Sequence, residues 1–339
     1  MPTKPIIITG APASAQTPPW QRALARAITD PRELLRRLEL DSAVHDSVIQ
    51  ADTLFRTLVP ENYLKRIRRG DPRDPLLLQV LPRSLETLEN PDFIADPVGD
   101  HGAMAAPGLL HKYRGRVLLI TTGACAVHCR YCFRREFPYG GFSASRDWQP
   151  ALDYIDGQPD VSEIILSGGD PLTLPDARLA TLVSRLEAIP HVRRLRIHTR
   201  LPIVLPERVD QGLLSWLGRG RLQHIVVVHA NHPREFDPPV DSALTQLRAA
   251  GITLLNQSVL LAGVNDDIET LCRLQESSFA AGVLPYYLHL LDRARGTSHF
   301  EVDEQRGKAL YEAMRCRLPG YLLPKLVREI PGTPAKTPA

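Results

Sequence analysis

From about Gly108 onward, the chain alternates between short runs of β-branched and aliphatic residues and longer segments whose apolar positions recur every three or four residues. The short runs read as strands and the longer segments as amphipathic helices. Six strands are predicted: Arg116 to Thr122, Ser162 to Ser167, Arg194 to Thr199, His224 to His229, Ile252 to Leu260 and Val283 to Leu290. Helices are predicted near 147–156, 176–189, 207–217, 239–250 and 266–281, with a last one near 303–317. Six such units in series predict an α/β fold, a parallel sheet with right-handed crossovers curved into a partial (β/α)6 barrel. Active sites in such architectures lie at the C-terminal ends of the strands. The unusual residues of this chain fall at those ends.

The pattern before Gly108 is different. Residues 1–19 hold Pro2, Pro5, Pro12, Pro18 and Pro19 among small polar residues and read as a flexible arm. Residues 20–105 read as short helices with irregular connections. Trp20 to Leu38 has helical spacing broken at Asp30-Pro31, where Asp30 is a candidate cap for a helix that starts with proline. Ala51 to Val59 and Asn62 to Ile67 read as further helical pieces. This helical N-terminal region is expected to carry no chemistry, its paired arginines being solvated helix faces. The barrel is expected over 106–320 and a separate C-terminal segment over 321–339.

Composition narrows the class. With 339 residues, 43% of them hydrophobic and 23% charged, the chain can bury the core of one large α/β domain plus an appendage. A formal charge of +3, evenly spread, gives no footprint for nucleic acid. No apolar run is long enough for a membrane span or a secretory leader, so a cytoplasmic protein is expected. Five cysteines, three of them clustered, fit a reducing compartment better than a disulfide framework.

Those three, Cys125, Cys129 and Cys132, have the spacing C-x3-C-x2-C and follow the predicted strand Arg116 to Thr122. Three thiolates make an open metal site. A four-iron cluster would keep one iron free for a small molecule, and zinc is the rival, with His128 as a fourth ligand. Cys272 and Cys316 stand singly in helical stretches and read as core residues. Other strand ends carry Ser167-Gly168-Gly169-Asp170-Pro171, His198-Thr199-Arg200 and His229-Ala230-Asn231-His232. The glycine pair read alone is a turn, whereas two histidine clusters on adjacent strands favour a polar pocket. Asn256 and Gln257 are polar residues in an apolar strand, costly unless they meet a ligand or a polar network. Read alone, Lys112 and Arg116 are a basic strand start, Asp292 a cap or turn residue, and Lys336 a solvated lysine in a disordered tail.

The cysteine spacing, with aromatic Tyr131 just before the last cysteine, resembles the radical S-adenosylmethionine enzymes, and the following Arg134-Arg135 resembles their lysine 2,3-aminomutase branch. The likeness covers about residues 105–338 and runs through seven strand ends or loops in order. It implies a [4Fe-4S] cluster on Cys125, Cys129 and Cys132. S-adenosylmethionine would be bound by Gly168, Gly169, Asp170, Arg200 and His229. Pyridoxal 5'-phosphate would be contacted by Lys112, Arg116 and Gln257, with His111 and Tyr113 nearby, and carried as a Schiff base on Lys336. Arg134 would take the substrate carboxylate. The frame D-x3-G-x2-H-F from Asp292 to Phe300 matches the family's holder of the lysine ε-ammonium, with Glu329 as the second acid. Two positions depart from the family. Thr333-Pro334-Ala335 replaces a glycine run, which stiffens the loop, and Glu329 replaces an aspartate, which adds a methylene.

The activity implied is conversion of L-lysine to β-lysine, with an electron donor such as flavodoxin or ferredoxin and possible homo-oligomerisation. The chain ends three residues past Lys336, whereas longer members continue. That matches the short branch linked to elongation factor P and its lysyl ligase. A glutamate 2,3-aminomutase-like enzyme and a degenerate cofactor-binding member are the alternatives.

Overall fold

The computed structural model describes residues 17–40, 45–142 and 147–339. Most of the expected N-terminal arm, residues 1–16, lies outside the described residues, and a helix already begins at Pro19.

Ten strands form one sheet in chain order. They are β1 (Met104–Ala106), β2 (Leu109–Tyr113), β3 (Arg116–Thr122), β4 (Glu163–Gly168), β5 (Arg194–Thr199), β6 (Gln223–Val228), β7 (Thr253–Val259), β8 (Leu284–His289), β9 (Lys325–Arg328) and β10 (Thr337–Pro338). From β3 to β9 every neighbouring pair is parallel, while β1, β2 and β10 pair antiparallel at the two edges. The six strands read from the sequence are β3 to β8. Beyond them, β9 adds a seventh parallel strand and β10 folds back on it, Thr337 opposite Arg328. The C-terminal segment is therefore part of the sheet edge.

The helices start where aspartates can cap them. Asp210, Asp237, Asp267 and Asp303 each accept a backbone N–H of the first turn they precede, filling a donor that the helix leaves unpaired. Asp30 does the same for Pro31–Arg37, as its sequence predicts. Several helices of the barrel, among them Pro238–Ala249 and Ile268–Ala280, pack against strands, and their apolar positions fall on one stripe. In Asp176–Glu187 the buried residues are Leu179, Leu182, Val183 and Leu186, three to four apart.

One hydrophobic cluster runs from Trp20 to Val283 and joins the N-terminal helices to the barrel. A second, smaller one, with Leu260, Leu271, Leu288, Leu310 and Met314, closes the far side of β7 and β8. The helical layer is also bonded across the strand ends. Arg66 donates to the carbonyls of Ile203 and Glu235, at 2.6 Å each. Among the described residues no helix is long and apolar enough to cross a membrane.

Candidate active site

The C-terminal strand ends open into a cavity of about 270 Å³. Cys125, Cys129 and Cys132 line it, and so do Arg134, Arg200, His229, Gln257, Asp292, Glu329 and Lys336.

The cysteine loop leaves β3 and is hung on the helical layer. His128 N–H donates to the Leu58 carbonyl at 3.0 Å, and Arg130 N–H to that of Gln79 at 2.8 Å. Arg130 is fully buried. Its Nε donates to Glu86 Oε1 at 2.8 Å and its Nη2 to Glu86 Oε2, while Arg135 Nη2 reaches the same carboxylate at 2.7 Å. Both guanidinium groups lie over the Phe55 ring. Burial raises the Glu86 pKa, but the two arginines outweigh it and hold the group below the usual carboxylate range. Residues 20–105 nonetheless reach the site: Phe55, Gln79, Glu86 and Asp100 brace the cysteine loop. Their arginine partners lie 34 to 121 residues away in sequence.

The donor set suits an iron-sulfur cluster. Burial, then the neighbouring sulfurs, push the Cys125 and Cys132 thiols up, Cys132 to about 11, so thiolates here need a cationic partner. His128, the candidate fourth zinc ligand, has Nδ1 2.7 Å from the Arg56 carbonyl oxygen and stacks on Phe55. Among the described residues no three His, Cys, Asp or Glu side chains converge on a single ion.

The Gly168-Gly169 pair is fixed by close approach to this loop. A Cβ on Gly169 would stand 2.2 Å from the Ala124 carbonyl oxygen, and Gly168 has φ +119°. Gly169 and Asp170 N–H donate to the carbonyls of Thr122 and Ala124, each at 2.7 Å. Asp170 has both carboxylate oxygens bonded within the chain. Its Oδ1 accepts from Leu172 N–H and Thr199 Oγ1, and its Oδ2 from Arg200 N–H at 2.7 Å and Leu201 N–H at 3.2 Å. These bonds pin the end of β5 against β4 while Asp170 lines the cavity.

Arg200 and His229 both line the cavity. Nη1 of Arg200 donates to Cys129 Sγ at 2.8 Å, and its buried Nε has no partner among the described residues. His229 Nε2 and His198 Nδ1 are 3.3 Å apart. Burial first, then the charges of Arg200 and Lys336, lower the His229 pKa to about 4, leaving a neutral ring.

Lys336 is no solvated tail residue. It directly precedes β10, and its Nζ donates to Glu329 Oε2 at 2.5 Å. Glu329 Oε1 accepts from Tyr113 Oη at 2.6 Å. Burial raises the Glu329 pKa, but Lys336 and Tyr113 outweigh it. Lys112 Nζ stands 2.6 Å from Asp100 Oδ1, and Arg134 Nε donates to Asp100 Oδ2 at 2.6 Å. Arg134 Nη1 donates to Ser167 Oγ at 3.1 Å. Arg116 lies over the Tyr113 ring, and His111 is bonded to Tyr154, away from the cavity lining.

Asp292 Oδ1, Gln257 Oε1 and His289 Nε2, on residues that line this cavity, are also buried without a hydrogen-bond partner among the described residues. Burial, with Glu329 adding to it, pushes Asp292 up to about 7 against the pull of Lys336 and Lys112. Asn256, by contrast, bonds the Ala230 backbone and serves the fold. Arg196 was missed by the sequence reading. It lines the cavity, pairs with Glu163 at 2.8 Å and has a buried Nε without a partner among the described residues. A charged residue between Leu195 and Ile197 in an apolar strand was the available signal.

A family model described as the radical SAM superfamily matches residues 119–211, from β3 past β5. The L-lysine 2,3-aminomutase of Haemophilus influenzae is 46% identical over 98% of this chain and 98% of its own length. That of Escherichia coli is 46% identical over 94% of both chains. That of Clostridium subterminale is 35% identical over 94% of this chain and 77% of its own length. Identity at this level along nearly the whole chain, joined to a three-cysteine loop at the mouth of a parallel barrel, places this protein in the radical S-adenosylmethionine family of lysine 2,3-aminomutases.

Proposed function

We propose that the enzyme is an isomerase that moves the amino group of L-lysine from C2 to C3 and releases β-lysine, using a [4Fe-4S] cluster, S-adenosylmethionine and pyridoxal 5'-phosphate. The observation that carries this reading is one cavity lined both by three cysteines and by Lys336 with two acids, Asp292 and Glu329. The hydrogen on C3 is unactivated, so side-chain bases cannot remove it. The cluster and S-adenosylmethionine supply radical chemistry, and pyridoxal phosphate a carbonyl to hold the migrating nitrogen.

The chain's own residues bind and orient. Cys125, Cys129 and Cys132 hold iron. Arg200 Nε and neutral His229 face S-adenosylmethionine, with the Gly168-Gly169 backbone beside it. Lys112, Arg116 and Gln257 surround the cofactor phosphate, and Lys336 is the amine that anchors the cofactor. Arg134, braced by Asp100, takes the substrate carboxylate, a role suited to a planar fork. Asp292 and Glu329 take the distant ammonium. Two anchors at opposite ends of lysine fix C3 in place, and such positioning is the protein's main contribution to rate.

Two acids facing the side chain favour a cationic substrate over glutamate. The similarity to the Haemophilus and Escherichia enzymes along nearly their whole lengths supports a cytoplasmic role in supplying β-lysine for elongation factor P, with a flavodoxin or ferredoxin as electron donor. The test is anaerobic reconstitution with iron, sulfide, pyridoxal phosphate, S-adenosylmethionine and dithionite, followed by chiral chromatography. β-Lysine is expected. A β-amino acid from glutamate but not from lysine refutes the substrate. Unmodified elongation factor P in cells lacking the enzyme, restored by added β-lysine, is the expected sign of the cellular role.

A further inference from the structure

Arg200 is held more firmly than binding a substrate requires. It follows β5 directly and is 6% exposed. Nη2 donates to Gln79 Oε1 at 2.7 Å and to Glu235 Oε2 at 2.8 Å, with Tyr63 Oη at 3.4 Å. Its guanidinium lies over the rings of Tyr63 and Tyr131. Glu235, fully buried, is fixed in turn by the N–H groups of Asn231 and His232 at 2.8 and 3.1 Å and by Gln79 Nε2 at 3.2 Å. The result is a cation whose Nη1–H is aimed at Cys129 Sγ from a fixed position.

A buried ion pair of this kind is a poor device for stability alone, because desolvating two charges offsets most of their attraction. Its placement against a cluster ligand offers a different reason. Reduction adds negative charge to an iron-sulfur cluster, and donors to its sulfurs together with nearby cations stabilise that charge. We infer that Arg200 is a positioning residue that raises the reduction potential of the cluster through Cys129, and that Glu235 sets the size of this effect by holding and partly neutralising the guanidinium. The inference rests on reading the three cysteines as cluster ligands. It concerns the electron-accepting step, in which the cluster takes one electron from the external donor and no proton or bond is exchanged with Arg200.

The experiment is a redox titration of the reconstituted holoenzyme, without S-adenosylmethionine, followed by electron paramagnetic resonance. Arg200→Met is expected to lower the reduced-to-oxidised ratio at fixed potential by about tenfold, equivalent to 59 mV for one electron. Glu235→Gln, which leaves the cation unneutralised, is expected to shift the ratio upward. A merely structural role would move both variants the same way or neither. Ratios within about twofold of the parent, or shifts of one sign in both variants, overturn the inference. Should Arg200→Met hold no cluster, Glu235→Gln decides: a raised ratio supports the inference, and an unchanged or lowered one overturns it. A parent protein that binds no cluster refutes the cofactor reading itself.

Discussion

Two aspartates follow strand ends on opposite sides of the barrel mouth, Asp170 after β4 and Asp292 after β8, and both have their pKa raised by burial. Their surroundings differ. Asp170 accepts from three backbone N–H groups and a threonine hydroxyl, so its lone pairs are consumed by the fold. Asp292 has a buried Oδ1 without a partner among the described residues. A satisfied buried acid stabilises structure, whereas an unsatisfied one is a cost that folding alone does not explain. The same sequence signal, an acid just beyond a strand, thus marks a satisfied carboxylate in one place and an unsatisfied one in the other.

Substituting each aspartate by asparagine separates the two roles most sharply. Asp292→Asn is expected to lower kcat/KM for lysine by about 10³, or about 4 kcal/mol, since a buried ammonium loses its counter-charge. The melting temperature at pH 8 should not fall, because the substitution removes a buried charge. An enzyme within about tenfold of the parent breaks the comparison. Asp170→Asn should act in reverse, losing about 3 kcal/mol of stability as its amide group meets backbone donors it cannot accept from. Chemical denaturation measures this, and a loss below about 1 kcal/mol makes Asp170 a ligand contact after all.

What the sequence made legible follows the same divide between local and distant causes. The six parallel strands and their helices could be read because each is announced by its own apolar period, and the cysteine loop because its spacing is local. Strand β9 is only four residues, Lys325–Arg328, and β10 two, Thr337–Pro338. Both depend on pairing rather than on pattern. Glu86 and Asp100 were invisible for a related reason: each is a single acid in an irregular stretch, given meaning by arginines 44 and 34 residues later. The place of Lys336 in the cavity was legible only through family resemblance, since nothing in its neighbours signals the return to the sheet. The backbone donors that fill the Asp170 carboxylate were not legible, because a sequence position does not tell which N–H groups a carboxylate meets.

The titration of Asp292 sharpens the comparison with a smaller effect. Its pKa in the free protein is raised to about 7, so it is mostly protonated below that value. A bound ammonium favours the charged form, and binding therefore releases a proton at pH 6. Lysine affinity should rise with pH by at most about tenfold per unit and level off above pH 7. Calorimetry in two buffers of different ionisation enthalpy measures the proton. Affinity that is flat from pH 5.5 to 7, with no proton released, means that Asp292 is already ionised or does not meet the ammonium. The Asp292→Asn protein should lose this slope.

Gln257 carries the smallest effect and extends the comparison from acids to a neutral group. Its Oε1 is buried and unpartnered among the described residues, while Asn256, one position earlier on β7, is bonded through both amide atoms to the Ala230 backbone. Replacing a buried polar atom that has no partner by an apolar side chain of similar length removes a desolvation cost. Gln257→Met should therefore stabilise the cofactor-free protein by about 1 kcal/mol. It should weaken pyridoxal phosphate binding about fivefold, as expected for one neutral hydrogen bond. Denaturation and cofactor titration read the two changes separately. A stability gain bought with lost affinity is the signature of a site residue. A loss of stability with unchanged cofactor affinity would assign Gln257 to the fold, beside Asn256, and leave the phosphate to Lys112 and Arg116.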